Sequence, residues 1–144
     1  MNVTELDGNG TATDPYVVTN ASELQAINQS LAANYTLEGH IDASETANWF
    51  GGSGFVPIGN LTTPFTGTFD GNGHTIADLE IDRPDTDKVG LFGMIENAEI
   101  TDLTIDSAAV TGNQVGGLAG VSDGTTTVRD VTVRGGTITG TRIG

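Results

Sequence analysis

Residues 89–95 read VGLFGMI, and residues 115–121 read VGGLAGV, in register over seven positions at an offset of 26. Val89, Phe92 and Ile95 fall three apart, as do Val115, Leu118 and Val121, so one face of an amphipathic helix is the first reading. The glycines argue against it. Gly90 and Gly93, then Gly116, Gly117 and Gly120, would each cost a helix about 1 kcal/mol relative to alanine. An extended backbone stacked closely on its neighbour suits them better.

Just outside these phrases three further segments align without gaps: TIADLEI at 75–81, EITDLTI at 99–105 and TVRDVTV at 127–133. Apolar β-formers recur at Ile76, Leu79 and Ile81, at Ile100, Leu103 and Ile105, and at Val128, Val131 and Val133, with Asp78, Asp102 and Asp130 each just before the middle one. The segments start 24 and 28 residues apart. A period in the twenties, with β-rich segments divided by glycine, asparagine and aspartate turns, predicts an all-β solenoid in which each repeat is one coil. The repeating leucine and asparagine of leucine-rich repeats is absent. The expected fold is a right-handed parallel β-helix with a short N-terminal capping helix. On this alignment Ile76, Ile100 and Val128 stack in the core, as do Leu79, Leu103 and Val131, and Asp78, Asp102 and Asp130 form a stacked ladder.

The first 60 residues read differently and are expected to be an N-terminal cap region with a first coil, residues 61–144 being the coils proper. A short strand is predicted at Tyr16 to Val18 and a helix over about 21–33, where Leu24, Ile27 and Leu31 make one apolar stripe. Asn20 or Ser22 can cap it, with Glu23 or Gln25 three residues on. A solenoid exposes an apolar end, and an atypical terminal segment such as this helix covers it.

Composition sets the habitat. The 144 residues suit one domain, and the absence of cysteine excludes disulfides and thiolate metal sites. Acidic residues number 19 against 5 basic, for a net charge of -14, and Lys88 is the one lysine. That excludes ordinary nucleic-acid binding, which needs a basic face. No apolar run approaches the ~20 residues of a membrane span, so no membrane insertion is expected. Six of the 10 asparagines, Asn2, Asn9, Asn20, Asn28, Asn34 and Asn60, begin an Asn-X-Ser/Thr sequon, against about two expected by chance. They are candidate N-glycosylation acceptors and favour an extracellular, cell-surface glycoprotein.

The stretches GNGTATDPYVV (8–18), YTLEGHIDAS (35–44), FVPIGN (55–60) and FTGTFDGNGHTIADLEI (65–81), followed by VGLFG and VGGLAG, resemble the bacterial and archaeal surface proteins built of GLUG-motif repeats on a β-helix, many of them adhesins or large exported proteins of haloarchaea. The resemblance covers nearly the whole chain and implies a β-helix at the cell surface, with no single catalytic activity attached. Asparagine is common in that family where this chain has Asp78, Asp102 and Asp130.

Three constellations bear on chemistry. Asp70, His74 and Asp78 are spaced by four, and carboxylates with a histidine on a coil surface suit glycoside hydrolysis. DGNG at 70–73 reads more simply as a turn, and His40 has no obvious partner. Oxygen-bearing side chains in DGNGTATD (Asp7, Asn9, Thr11, Asp14) or DRPDTD (Asp82, Asp85, Asp87) suit calcium, though no EF-hand glutamate completes them; no other cofactor is implied. Trp49 and Phe50, in ETANWFGGSGF, read as an anchor for a long loop or as a stacking platform for a sugar ring.

The expected function is therefore a non-catalytic structural or adhesive module of an exported surface protein, not an enzyme, with a polysaccharide-active enzyme or carbohydrate-binding module on the same scaffold as the alternative. Its expected partners are surface glycans or proteins, and further repeats or another copy at the C-terminal face, because Ile143 and Gly144 fall 28 residues after Val115 and Gly116 and begin a third glycine phrase.

At about 1 M salt the Debye length is about 3 Å, so most repulsion among exposed carboxylates is screened. The melting temperature should rise substantially between about 0.1 M and 2 M potassium chloride; a flat scanning-calorimetry series would remove the case for a saline habitat.

Overall fold

The computed structural model of the chain describes residues 2–143. It is mostly β. In chain order the strands are β1 (Tyr16–Val18), β2 (Asn34–Leu37), β3 (Ile41–Asp42), β4 (Thr68–Ala77), β5 (Glu80–Asp82) and β6 (Lys88–Val89). They continue as β7 (Phe92–Glu96), β8 (Glu99–Asp106), β9 (Ala109–Val115), β10 (Ala119–Asp123), β11 (Thr127–Arg134) and β12 (Thr137–Ile143). One α-helix, α1 (Ala21–Ala26), lies between β1 and β2.

The strands form three sheets, and every pairing between them is parallel. The first sheet runs β1-β2-β4-β8-β11 with β3 beside β4, the second runs β5-β9-β12 with β6 beside β9, and the third pairs β7 with β10. From β4 onward the chain visits the three sheets in strict rotation and reaches the second for the third time at β12.

Level apolar rows explain why these residues pair. Tyr16, Tyr35, Phe69, Ile100 and Val128 stand level across the first sheet, as do Ile41, Ile76, Ile105 and Val133. Ile81, Val110 and Ile138 do the same across the second. Fully burying such a side chain contributes about 1.5–3 kcal/mol, and a one-residue slip would turn its row to solvent. Aromatics fill the centre: Tyr35 lies 6.3 Å from Phe65, Phe65 4.9 Å from Phe92, and Phe92 5.7 Å edge-on from Phe69. Among the described residues no buried side-chain nitrogen or oxygen lacks a hydrogen-bond partner.

The doubled glycine phrase marks where backbones touch. No helix forms at 89–95; β6 and β7 occupy that stretch. A Cβ on Gly93 would sit 2.4 Å from the Gly59 carbonyl oxygen, and one on Gly120 would sit 2.6 Å from the Val89 nitrogen. The offset of 26 holds for Val89 and Val115 but becomes 27 for Phe92 and Ala119. The second phrase carries one extra residue at the corner, Gly117, whose Cβ would meet a Val133 methyl at 2.5 Å.

The alignment of the three β segments is half right. Ile100 stands level with Val128 and Leu103 with Val131. Ile76, however, pairs with Ile105, and the partner of Ile100 in β4 is Phe69. Leu79 likewise belongs to the corner after β4, where its carbonyl accepts the Ala109 N–H at 2.9 Å. The aspartate ladder shortens accordingly: Asp102 and Asp130 are level, flanked by the pairs Thr101/Arg129 and Leu103/Val131, whereas Asp78 turns the corner from the first sheet to the second. All three aspartates adopt the left-handed conformation (φ 60, 53 and 56). Aspartate tolerates that region better than most residues, so the same spelling appears at two different bends.

The helix is shorter than the predicted 21–33. It ends at Ala26, with a tight 3-10 turn over Ile27–Gln29. Beyond the turn the backbone leaves the helical region at Ser30 (φ -151, ψ 83); the Ser30 carbonyl accepts the Tyr35 hydroxyl at 2.7 Å, and that of Leu31 accepts the N–H groups of Thr66 and Gly67 at 2.8 and 3.1 Å. The start follows expectation, with Asn20 Oδ1 accepting the Glu23 N–H at 2.8 Å. Leu24 and Ile27 are buried in the core and Leu31 packs against it. No helix among the described residues is long and apolar enough to cross a membrane.

Gly93→Ala should lower stability by about 1–3 kcal/mol, the usual cost of overpacking, while Gly39→Ala, where an added Cβ meets nothing within 4 Å, should be close to neutral; urea midpoints of the two variants check this. Burial pushes the Tyr35 phenol up from 10.0 to about 12, partly opposed by the Ser30 side chain. A value raised by folding means that stability is full below about pH 10 and lost as pH climbs through about 12. Absorbance titration of the tyrosines should find one that ionises only in that upper window.

Candidate functional site

Strand residues alternate between the core and solvent, so the register that levels the apolar rows also levels polar rows outside. Asn34, Thr68, Glu99 and Thr127 form one outward row on the first sheet, and Thr36, Asp70, Thr101 and Arg129 form the next. With Asp102, all of these but Thr127 line a groove of about 400 Å³, walled by Ala12 and Pro15 of the loop before β1. That loop is pinned to the sheet, because the Asn34 amide Nδ2 donates to the Gly10 carbonyl at 3.0 Å while Asn34 Oδ1 accepts the Thr68 hydroxyl. The groove thus presents three carboxylates, Asp70, Glu99 and Asp102, among hydroxyls, with the Arg129 guanidinium at one side. Sequence reasoning missed it. Its signal was the period-two polar positions, which the misplaced register had scattered.

The trio of Asp70, His74 and Asp78 does not share a site. Asp70 faces the groove and its Oδ1 accepts the Asn72 N–H at 2.8 Å, which makes the DGNG stretch a bulge within β4. His74 packs edge-on against His40 with ring centroids 5.2 Å apart, and His40 Nδ1 accepts the Thr75 N–H at 2.9 Å. His40 therefore has partners that its sequence neighbourhood did not reveal. Asp78 lies at the next corner. Among the described residues no three histidine, aspartate or glutamate side chains gather as metal ligands; of the calcium candidates, Asp87 instead accepts a bond from the Asn113 amide at 3.2 Å. Asp42 is held below the usual carboxylate value by hydrogen bonds from Ser44.

Trp49 and Phe50 divide the roles considered for them. Trp49 stacks on Phe55 at 6.3 Å and pins the loop. Phe50 stands 65% exposed in the left-handed region, at φ 51 and ψ 44, with the Arg83 guanidinium 5.6 Å from its ring centre.

The six sequon asparagines divide as well. The Asn28 and Asn34 amide groups donate to the carbonyls of Pro57 and Gly10, at 3.1 and 3.0 Å, and so serve the fold. Asn2, Asn9, Asn20 and Asn60 are exposed, with Asn2, Asn20 and Asn60 using Oδ1 to hold nearby backbone N–H groups.

The description of the M26 IgA1-specific metallo-endopeptidase N-terminal region fits residues 13–135. The chain is 48% identical over 145 residues to Halomucin of Haloquadratum walsbyi, covering 95% of this chain and 2% of that protein. It is 34% identical over 129 residues to a protein of Evansella cellulosilytica described as a Gly-rich membrane protein, covering 80% of this chain and 15% of that one. The chain thus spans a small part of the curated relatives it matches. Among solved structures, one described as an immunoglobulin A1 protease from Bacteroides ovatus superposes with a TM-score of 0.61 at 22% identity, over 77% of this chain and 32% of that one. At that identity the likeness speaks for the fold alone.

Proposed function

We propose that this chain, which belongs to the M26 IgA1-specific metallo-endopeptidase N-terminal region family, is a stiff, non-catalytic structural and adhesive module of an exported surface protein. The observation that carries the reading is the rotation of the chain through three parallel sheets with level rows. We read that rotation as a right-handed parallel β-helix of GLUG type; the hand follows the strong preference of parallel crossovers. Each coil rests on the one before it, so the unit resists bending.

Surface display is supported by the likeness to Halomucin and to a protein described as a membrane protein, and a saline medium by the net charge of -14. The outer edge of β11 and β12 takes a further parallel layer, from following repeats or another copy. In support, Val128 and Val133 are 47% and 44% exposed there, although the same rows are buried in the layers behind them. The exposed asparagines are the candidate glycan carriers, and the groove on the first sheet is the contact surface.

That groove also supports the alternative of a polysaccharide-active or carbohydrate-binding module, because it clusters Asp70, Glu99 and Asp102 along one sheet. The two readings part on turnover. In molar potassium chloride, a panel of neutral and acidic polysaccharides incubated with the purified chain should show no reducing ends above the blank. Release that disappears in Asp70→Asn or Asp102→Asn would replace the structural reading with the enzymatic one.

A further inference from the structure

Three insertions break the regular rise of the stack. Residues 43–53 stand against 78–80 between the pairs Asp42/Ala77 and Gly54/Ile81. Residues 59–64 stand against 93 and 94 between the pairs Ile58/Phe92 and Phe65/Ile95. Residues 83–87 stand against 112 and 113 between Asp82/Thr111 and Lys88/Gln114. Excess chain must leave the stack; Phe50 of the first excursion lies against Arg83 of the third, and Asn60 and Thr63 of the second line the same cleft as Arg83.

The guanidinium of Arg83 is held there by groups that carry no charge. Its Nε donates to the Phe55 carbonyl at 3.3 Å and its Nη2 to the Gly54 carbonyl at 3.1 Å, both just after the first insertion. Phe50 of the first insertion lies under it, at 5.6 Å. Asp85 and Asp87 share its own loop and Asp82 ends the strand before it, yet among the described residues Arg83 makes no ion pair, whereas Arg129 and Arg134 each pair with an aspartate. Two carbonyls and a ring fix the plane of the guanidinium and leave Nη1 without a partner among the described residues. Phe50 adopts an unfavourable left-handed conformation and stays exposed, a strain of the kind that collects at functional sites.

Arg83 borders a cleft of about 480 Å³ floored by Val56, Pro57 and Gly59 and rimmed by Asn60, Thr63 and Thr86. The last three also line an adjoining hollow of about 380 Å³ that reaches Lys88, with Asp87 on its edge. Both volumes fall within the roughly 300–1,000 Å³ of small-ligand sites. Two of the 5 basic residues of an acidic chain thus border connected hollows that pair an apolar floor with a rim of hydroxyl and amide groups. A pyranose ring has the matching faces, with C–H groups on one side and hydroxyls around its edge.

We propose that this cleft binds an acidic saccharide, a hexuronate unit whose carboxylate meets Nη1 of Arg83. Its hydroxyls meet Thr63, Thr86 and Asn60, and Lys88 takes the charge of the next unit. Phe50 is a positioning residue that keeps the guanidinium flat toward the cleft. The site lies apart from the groove on the first sheet and depends on neither reading of it.

Titration of the isotope-labelled chain by NMR, at the lowest potassium chloride concentration that keeps its native circular dichroism, tests the proposal with three probes: trigalacturonate, maltotriose and sodium acetate. Trigalacturonate should give saturable shifts at the amides of Thr63, Arg83, Thr86 and Lys88, with maltotriose leaving them in place and acetate failing to saturate at equal concentration. Arg83→Gln should weaken the affinity at least tenfold; Phe50→Ala should weaken it severalfold and Phe50→Tyr should restore it, while Glu38→Gln, exposed and outside the cleft and the groove, leaves it unchanged. Should Arg83→Gln lose its native spectrum, Lys88→Gln and the wild-type shift map decide instead. Equal shifts with maltotriose, saturation by acetate alone, shifts confined to the first-sheet groove, or an affinity indifferent to Arg83 and Lys88 would each overturn it.

Discussion

Parallel pairing of one layer on the next is the constraint from which the rest of this structure follows. Layers about 4.8 Å apart leave each side chain facing its counterpart above and below, so whatever type occupies a row must tolerate its own repetition. Apolar rows gain by it, as Ile41, Ile76, Ile105 and Val133 do. Charged rows lose: level Asp102 and Asp130 would repel by roughly 0.9 kcal/mol in water before screening. The outward row beside them avoids that cost by alternating Thr36, Asp70, Thr101 and Arg129. The groove on the first sheet is therefore mixed for the same reason that the core is uniform.

The same constraint explains what the sequence revealed and what it hid. The glycine phrases were legible because close backbone contact admits few substitutes, and Gly93 and Gly120 are held against main-chain atoms. The strand at Tyr16–Val18 and the cap at Asn20 were legible because they rest on local chemistry. Register was not. A bend that needs a left-handed residue accepts aspartate, serine or glycine, and the corner row is in fact Asp78, Ser107 and Gly135, at φ 60, 58 and 62. Matching aspartate to aspartate crossed that row with another. The β-bulge between Asp70 and His74 then lengthened one layer and concealed the slip. The helix was overextended for a different reason: its apolar stripe runs on to Leu31, but the backbone leaves the helical region at Ser30 (φ -151, ψ 83), and Leu31 bonds Thr66 and Gly67 of the next layer.

Side chains that a propensity argument treats as surface turned out to tie layers together. Gln25 both donates to the Val56 carbonyl and accepts the Val56 N–H, at 2.9 and 2.8 Å, and Asn28 holds Pro57 and Gly59 in the same way. Four bonds thus fasten α1 and the turn after it to residues 56–59, the approach to the second insertion. The Asn28 amide nitrogen that its sequon would offer thus already donates to the Pro57 carbonyl.

Regularity and recognition pull in opposite directions here. A flat row of repeated residues offers a ligand no unique position, because a shift by one layer meets nearly the same groups. Distinct chemistry arises where the repeat is broken, and in this chain the breaks are three insertions gathered around Arg83 and the cleft beside it. The stack supplies the stiffness that keeps them together: Ile58 and Phe65, the two ends of the second insertion, are both buried and both paired to β7. Loops anchored at both ends on a rigid support lose little further freedom when they meet a partner, so the departures from the repeat, not the repeat itself, are where this surface acquires specificity.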